Sequence, residues 1–335
     1  MENTEHNHVQ LTSSEISSLW GSYQVDTMMI CGIKYFLSNI EDTQIQSVLE
    51  LALSLTQKHN DETTSLFINE NYPVPQGFTD KDVNLDAPRL FTDKLYLDFI
   101  LSMSKFTLLA RGLALSLSER KDVIDYYTRT LSDAQELHKN TMELAKEKGI
   151  YIRSPHIPKP DQIDFVNNRS YLAGWFGERR PLLGIEISHL VYNANRNALG
   201  QAIITGFSQV ANLKEVRQFF ERGREISGKH QEIFTAILHE SYLSNGIILT
   251  SEVTNSTKAP FSDKLMMFLI TTLIGFGIGQ YGLSMSSSPR HDLGMKYTRL
   301  MAEIAKYSND GAKIMIDNNW MEQPPIAADR KELAK

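Results

Sequence analysis

Phe91-Thr92-Asp93-Lys94-Leu95 recurs 170 positions further on as Phe261-Ser262-Asp263-Lys264-Leu265. The same shift carries Arg120-Lys121-Asp122 onto Arg290-His291-Asp292 and Tyr127-Thr128-Arg129 onto Tyr297-Thr298-Arg299. With the offset changed by one residue, Lys58-His59 falls on Lys229-His230 and Glu15-Ile16-Ser17 on Glu186-Ile187-Ser188. Self-similarity at a nearly fixed spacing means one unit written twice. The duplication spans almost the whole chain and decides the architecture.

Each copy reads as four helices. In the first, Thr12-x-x-Glu15 is a capping box that opens helix A, whose inward stripe is Ile16, Leu19, Tyr23, Asp26 and Ile30 at steps of three and four. Helix B follows a short turn at 41–43 and carries Ile45, Val48, Ala52, Leu55, His59 and Leu66 on one stripe. From 69 to 89 the residues Pro73, Pro75, Gly77 and Pro88 forbid a helix. Helix C starts at Thr92 or Asp93, and helix D ends at Gly149. Each helix of about 27 residues is roughly 40 Å long. The middle connection reaches roughly 65 Å when extended, enough to cross the bundle.

Short, long, short connections define a bundle with one crossover, the ferritin-like arrangement. The expected fold class is therefore all-α, with tandem ferritin-like four-helix bundles, each with its long crossover between the second and third helices. The divisions expected are a disordered tail at 1–10, a bundle at 11–150, a strap at 151–183, a second bundle at 184–318 and a C-terminal segment at 319–335. The strap is rich in Pro and aromatic residues, including Tyr171, Trp175 and Phe176, and reads as packed. The uncharged stretch 265–286 is long enough to span a bilayer but carries Gly275, Gly277, Gly279 and Gly282, and reads as a buried central helix.

A formal charge of -6 without a Lys/Arg run excludes a nucleic-acid footprint. The single Cys31 excludes an intramolecular disulfide framework and fits a reducing compartment. The polar start of the chain lacks a signal-peptide pattern, so a cytoplasmic protein without a membrane span is expected.

Candidate chemistry centres on two histidines. His59 and His230 occupy seam positions, and counting through the A/B turns places Asp26 level with His59 and Asn197 level with His230. A buried imidazole needs a partner, so Asp26 and Asn197 are the expected ones. These four residues are also the candidates for a metal site holding iron, manganese or zinc. The D-helix seams carry no carboxylate, so no complete di-iron set is found, and no cofactor and no catalytic residue are predicted. Gly112 against Tyr127 and Gly282 against Tyr297 read as close helix packing, and Arg120-x-Asp122 and Arg290-x-Asp292 as solvated turns.

Leu11 to Trp20, Pro73 to Thr79, Phe91 to Leu95, Glu178-Arg179-Arg180-Pro181, Pro260 to Phe268 and Trp320 to Pro325 together resemble a family from spore-forming bacteria, built of two ferritin-like repeats and often labelled as spore coat proteins related to spore coat protein F. The resemblance spans nearly the full chain. It implies a bacterial, non-secreted protein associated with the spore coat, with other coat components as partners, and implies no catalytic residue. A structural or interaction protein is the reading adopted. The alternatives are a metal-binding or oxidase-like bundle and a small-molecule groove lined by Tyr171, Trp175 and Phe176.

Overall fold

The computed structural model describes residues 9–174, 179–244 and 246–335. Trp175, Phe176, Glu178 and most of the expected N-terminal tail lie outside the described residues. Eight α-helices follow in order: α1 (Ser13–Asn39), α2 (Thr43–Asn69), α3 (Asp93–Ser116), α4 (Lys121–Glu147), α5 (Gly184–Val210), α6 (Lys214–Glu240), α7 (Asp263–Ser286) and α8 (His291–Asp317). The long connections fall after α2 and after α6, where the sequence places them.

Local chemistry sets the helix ends. The Thr12/Glu15 capping box forms in full, Asp42 caps α2 through the amides of Gln44 and Ile45, and Ser262 caps α7 through the Leu265 amide. Glu15 does more than cap. Its second oxygen accepts from the Glu119 and Arg120 amides at 2.9 and 2.7 Å, joining the start of α1 to the turn before α4. Burial alone raises its pKa, but these amides and that of Thr12 outweigh burial and hold the carboxyl below its ordinary value.

Contacts divide the chain into two units. The first comprises 1–86, 99–144 and 319–335, and the second 87–98 with 145–318. In the first, Leu19, Phe67, Ala114, Val123, Tyr126 and Tyr127 bring all of α1–α4 into one core. The second core joins Leu190 and Ala194 of α5, Phe234 of α6, Tyr281 of α7 and Tyr297 of α8. Burying such a side chain stabilises by about 1.5–3 kcal/mol, so these layers fix both bundles.

The crossover of the first unit is fastened to α1 and to the C-terminal segment. Gly77 has φ +59 and so close an approach to α1 that a Cβ would stand 2.5 Å from Thr27 Oγ1. Only glycine meets both demands without strain. Glu322 accepts from the Gln76 and Gly77 amides at 3.0 and 2.6 Å, so two stretches far apart in the sequence meet through one carboxylate.

In the second unit, residues 87–98 run against that unit's own crossover. Phe91 and Val253 form an antiparallel bridge, with Thr92 N donating to Glu252 O at 3.0 Å and Thr254 N to Leu90 O at 2.9 Å. Glu252 also accepts from Thr92 Oγ1 and Lys94 Nζ.

Three expectations need correction. The segment 265–286 is buried only in part: Leu265 to Met267, Leu269 and Ile270 are in the core, whereas Gly275, Gly279 and Leu283 are exposed. α3 and α7 both have the length and apolarity to cross a membrane, and both contribute buried residues to their bundle cores. Gly112 has nothing within 4 Å of a built Cβ, so it does not accommodate Tyr127. Arg290 and Asp292 are not solvated; they are 3% and 4% exposed and form a two-bond ion pair, because the segment before α5 covers them through Arg180 O. Near the end of that segment Arg180 lies over the Tyr171 ring, and at its start Tyr151 N donates to Ala145 O, while 156–170 are exposed.

Candidate functional site

The seam spacing of α1 turns the Asp26 carboxylate inward, and a lone buried carboxylate demands a counter-charge. Arg111 of α3 supplies it, its Nη2 donating to both Asp26 oxygens at 3.0 and 2.8 Å. Nη1 of the same guanidinium donates to Ser22 Oγ at 2.6 Å and to the Tyr126 hydroxyl at 3.2 Å. Burial works against the charge of Arg111, but Asp26 outweighs it and raises its pKa above the ordinary value.

Asp26 is thus committed to Arg111 rather than to His59, and this corrects the expected pairing. His59 Nε2 lies 2.8 Å from Asp133 Oδ2 on α4, and Lys58 Nζ stands 3.5 Å from the same oxygen. A carboxylate only accepts, so in the neutral ring the proton sits on Nε2 and Nδ1 keeps its lone pair. Asp26, His59, Arg111 and Asp133 line one cavity of about 50 Å3, together with Ser104, Thr107 and apolar side chains that include Met29 and Leu55.

The equivalent level of the second unit is wired differently. Asn197 Nδ2 donates to the Tyr281 hydroxyl at 2.8 Å, and that hydroxyl lies 3.0 Å from His230 Nδ1. His230 Nε2 faces Glu303 Oε2 at 3.3 Å, and Lys229 pairs with the other oxygen of Glu303. Asn197 and His230 do meet, through Tyr281 rather than directly. Burial lowers the pKa of His230, with Glu303 opposing, and burial pushes Tyr281 up to about 12. Arg196 of α5, where the first unit has Val25, donates to Leu273 O at 3.1 Å and lies over the Phe276 ring.

Sequence reasoning missed Asp133, Glu303, Arg111 and Tyr281. The two acids flank the α4 and α8 seams rather than lying on them, but the 170-residue shift superimposes them, an available signal. Arg111 falls on Tyr281, so the repeat itself conceals that position. Among the described residues no group of three or more His, Cys, Asp or Glu side chains is placed to hold a metal ion. The arrangement can orient an imidazole and hold buried charge in pairs, and Ser104 of the same cavity has its hydroxyl 2.9 Å from His138 Nδ1 and donates to Leu101 O.

Fold and site together define a tandem four-helix-bundle protein in which each unit pairs a buried histidine with a half-buried carboxylate. The family model described as "Protein of unknown function (DUF3231)" matches residues 1–163 and again 170–333, and the chain belongs to that family. Among solved structures the chain is similar to a "putative spore coat protein" from Bacillus halodurans C-125, at 21% identity and a TM-score of 0.41, over 45% of this chain and 98% of that one. No curated protein matches the chain.

Proposed function

We propose that this protein is a non-catalytic structural or interaction component, whose helical surface engages other proteins. The observation that carries this reading is the outer face of the last turns of α3, where Leu109 and Leu113 are 47% and 62% exposed, continued by Leu117, 47% exposed, in the turn just after the helix. An apolar stripe left in water on one helix face suits a protein partner. Inside the bundles, by contrast, Asp26 is tied to Arg111, His59 to Asp133 and His230 to Glu303, as expected of residues that set register. Residence in the spore coat, with other coat components as partners, is the finer form of the proposal and rests on the sequence resemblance.

The test places a photo-crosslinking residue at Leu113 in sporulating cells of the source organism, with Glu136 as an exposed control. A discrete cross-linked protein at Leu113, lost in a Leu109→Ser, Leu117→Ser background that still folds, is the expected result. Equal labelling at both sites, with the protein absent from purified spores, would overturn it.

A metal-binding bundle is the second reading, favoured by Asp133, because a carboxylate on one imidazole nitrogen is also the arrangement that prepares a metal ligand. Elemental analysis of native protein and of a folded His59→Leu, His230→Leu variant tests it: near-stoichiometric iron, manganese or zinc lost in the variant supports a metal site.

A further inference from the structure

We infer that α5 and the 249–254 stretch of the second unit form a peptide-binding surface, whose ligand is the extended Arg89–Lys94 segment of the first repeat, and that this surface keeps the two repeats joined without the strap. Leu90 and Phe91 are 0% and 2% exposed and lie in the second unit, although the sequence assigns them to the first bundle. The main-chain pairing of Phe91 with Val253 is that of an added strand, in which backbone bonds give affinity and side-chain pockets give specificity. Thr254 Oγ1 adds a bond of 2.6 Å to Arg89 O.

Two features supply that specificity. The Phe91 ring lies against Gly206 of α5, where a Cβ would stand 2.4 Å from the ring, and its centroid is 6.1 Å from that of Phe207. The 171-residue shift places the buried Tyr35 of α1 at the position of Gly206, so the first unit lacks this notch. Glu252 is the second feature. Its carboxylate accepts from Thr92 Oγ1 at 2.8 Å and from Lys94 Nζ at 3.0 Å. Burial raises the pKa of this carboxyl, but Thr92 and Lys94 outweigh burial and hold it below the ordinary value. The ligand that fits is an extended peptide in which an aromatic ring is followed by a hydroxyl and then a lysine.

The exchange is reciprocal. Residues 319–335 follow α8 of the second unit yet belong to the first, where Glu322 holds the Gln76 and Gly77 amides. Each half of the chain therefore completes the unit built by the other half. Residues 156–170, by contrast, are all exposed. Such a connection raises the effective concentration of the two halves without supplying contacts of its own. Hydrolysis of one peptide bond in that stretch by a protease should then leave two fragments that stay bound one to one.

The test replaces residues 161–167 of the full-length chain with the recognition sequence of a site-specific protease, cuts it completely and weighs the product by native mass spectrometry. The expected product holds one copy of each fragment. Mixing it with 15N-labelled cut protein should then yield hybrids at the rate at which the fragments part. Gly206→Ala fills the Phe91 notch yet favours the α5 helix, and should raise that rate about tenfold or more. Glu252→Ala, which removes the bonds to Thr92 and Lys94, should do the same. Circular dichroism of the uncut variants shows which of them fold, so a folding failure of one leaves the other to decide. Fragments that separate on cleavage, or an exchange rate unchanged in a folded variant, would overturn the proposal.

Discussion

Arg111 and Tyr281 stand at the same place in the two repeats and answer the same demand in opposite ways. Arg111 neutralises the buried Asp26, whereas Tyr281 bridges Asn197 to His230 without any charge. The charged and neutral pairs are alternative solutions to a polar bundle interior, and each repeat must change both members together.

Asp26→Asn in the first unit should therefore destabilise it by about 3–5 kcal/mol, because the guanidinium is left buried and unpaired. Adding Arg111→Tyr should recover most of that loss by installing the repeat-two pair. Urea denaturation of the single and double variants measures the coupling.

Gly77→Ala should destabilise the first unit by more than 1 kcal/mol, since the new Cβ meets Thr27 and the backbone sits at positive φ. Glu322→Ala removes two charge-assisted bonds from the same crossover, each worth about 1.5–3 kcal/mol. Proteolysis in the 70–85 connection should accelerate in both variants.

Stability should fall as pH drops below about 6.5, the ordinary value for histidine. His230 has a lowered folded pKa, chiefly from burial, so the unfolded chain takes up its proton first. The contribution is complete above the unfolded value, declines below it, and levels off beneath the folded value. His138 and His189, also lowered by burial, act in the same direction. The change in melting temperature between pH 7.5 and 5.5 should shrink in a folded His230→Phe variant.

Cys31 is buried, and burial first, with Asp82 and Asp80 adding to it, pushes its thiol up to about 11. At pH 8 its thiolate fraction should be about a hundredfold below that of an ordinary cysteine. Reaction with a thiol reagent should be correspondingly slow in the native protein and fast in urea.

The duplication, the eight helices and the two long connections are legible in the sequence, because capping residues, prolines and the three-to-four step of apolar side chains act locally. The inward positions of Asp26 and His59 follow from the same periodicity. Their partners do not, since a stripe tells which way a side chain points but not which neighbour on another helix stands at its level. Only the tertiary structure assigned Asp133 to His59 and Arg111 to Asp26, and joined Glu322 to Gly77 across the length of the chain. It also placed 87–98 in the second unit, where the Glu252 backbone and carboxylate satisfy groups that the helical pattern leaves open. Local propensity determines the elements, and the pairing of buried polar groups, which depends on distances between elements, is decided when they pack.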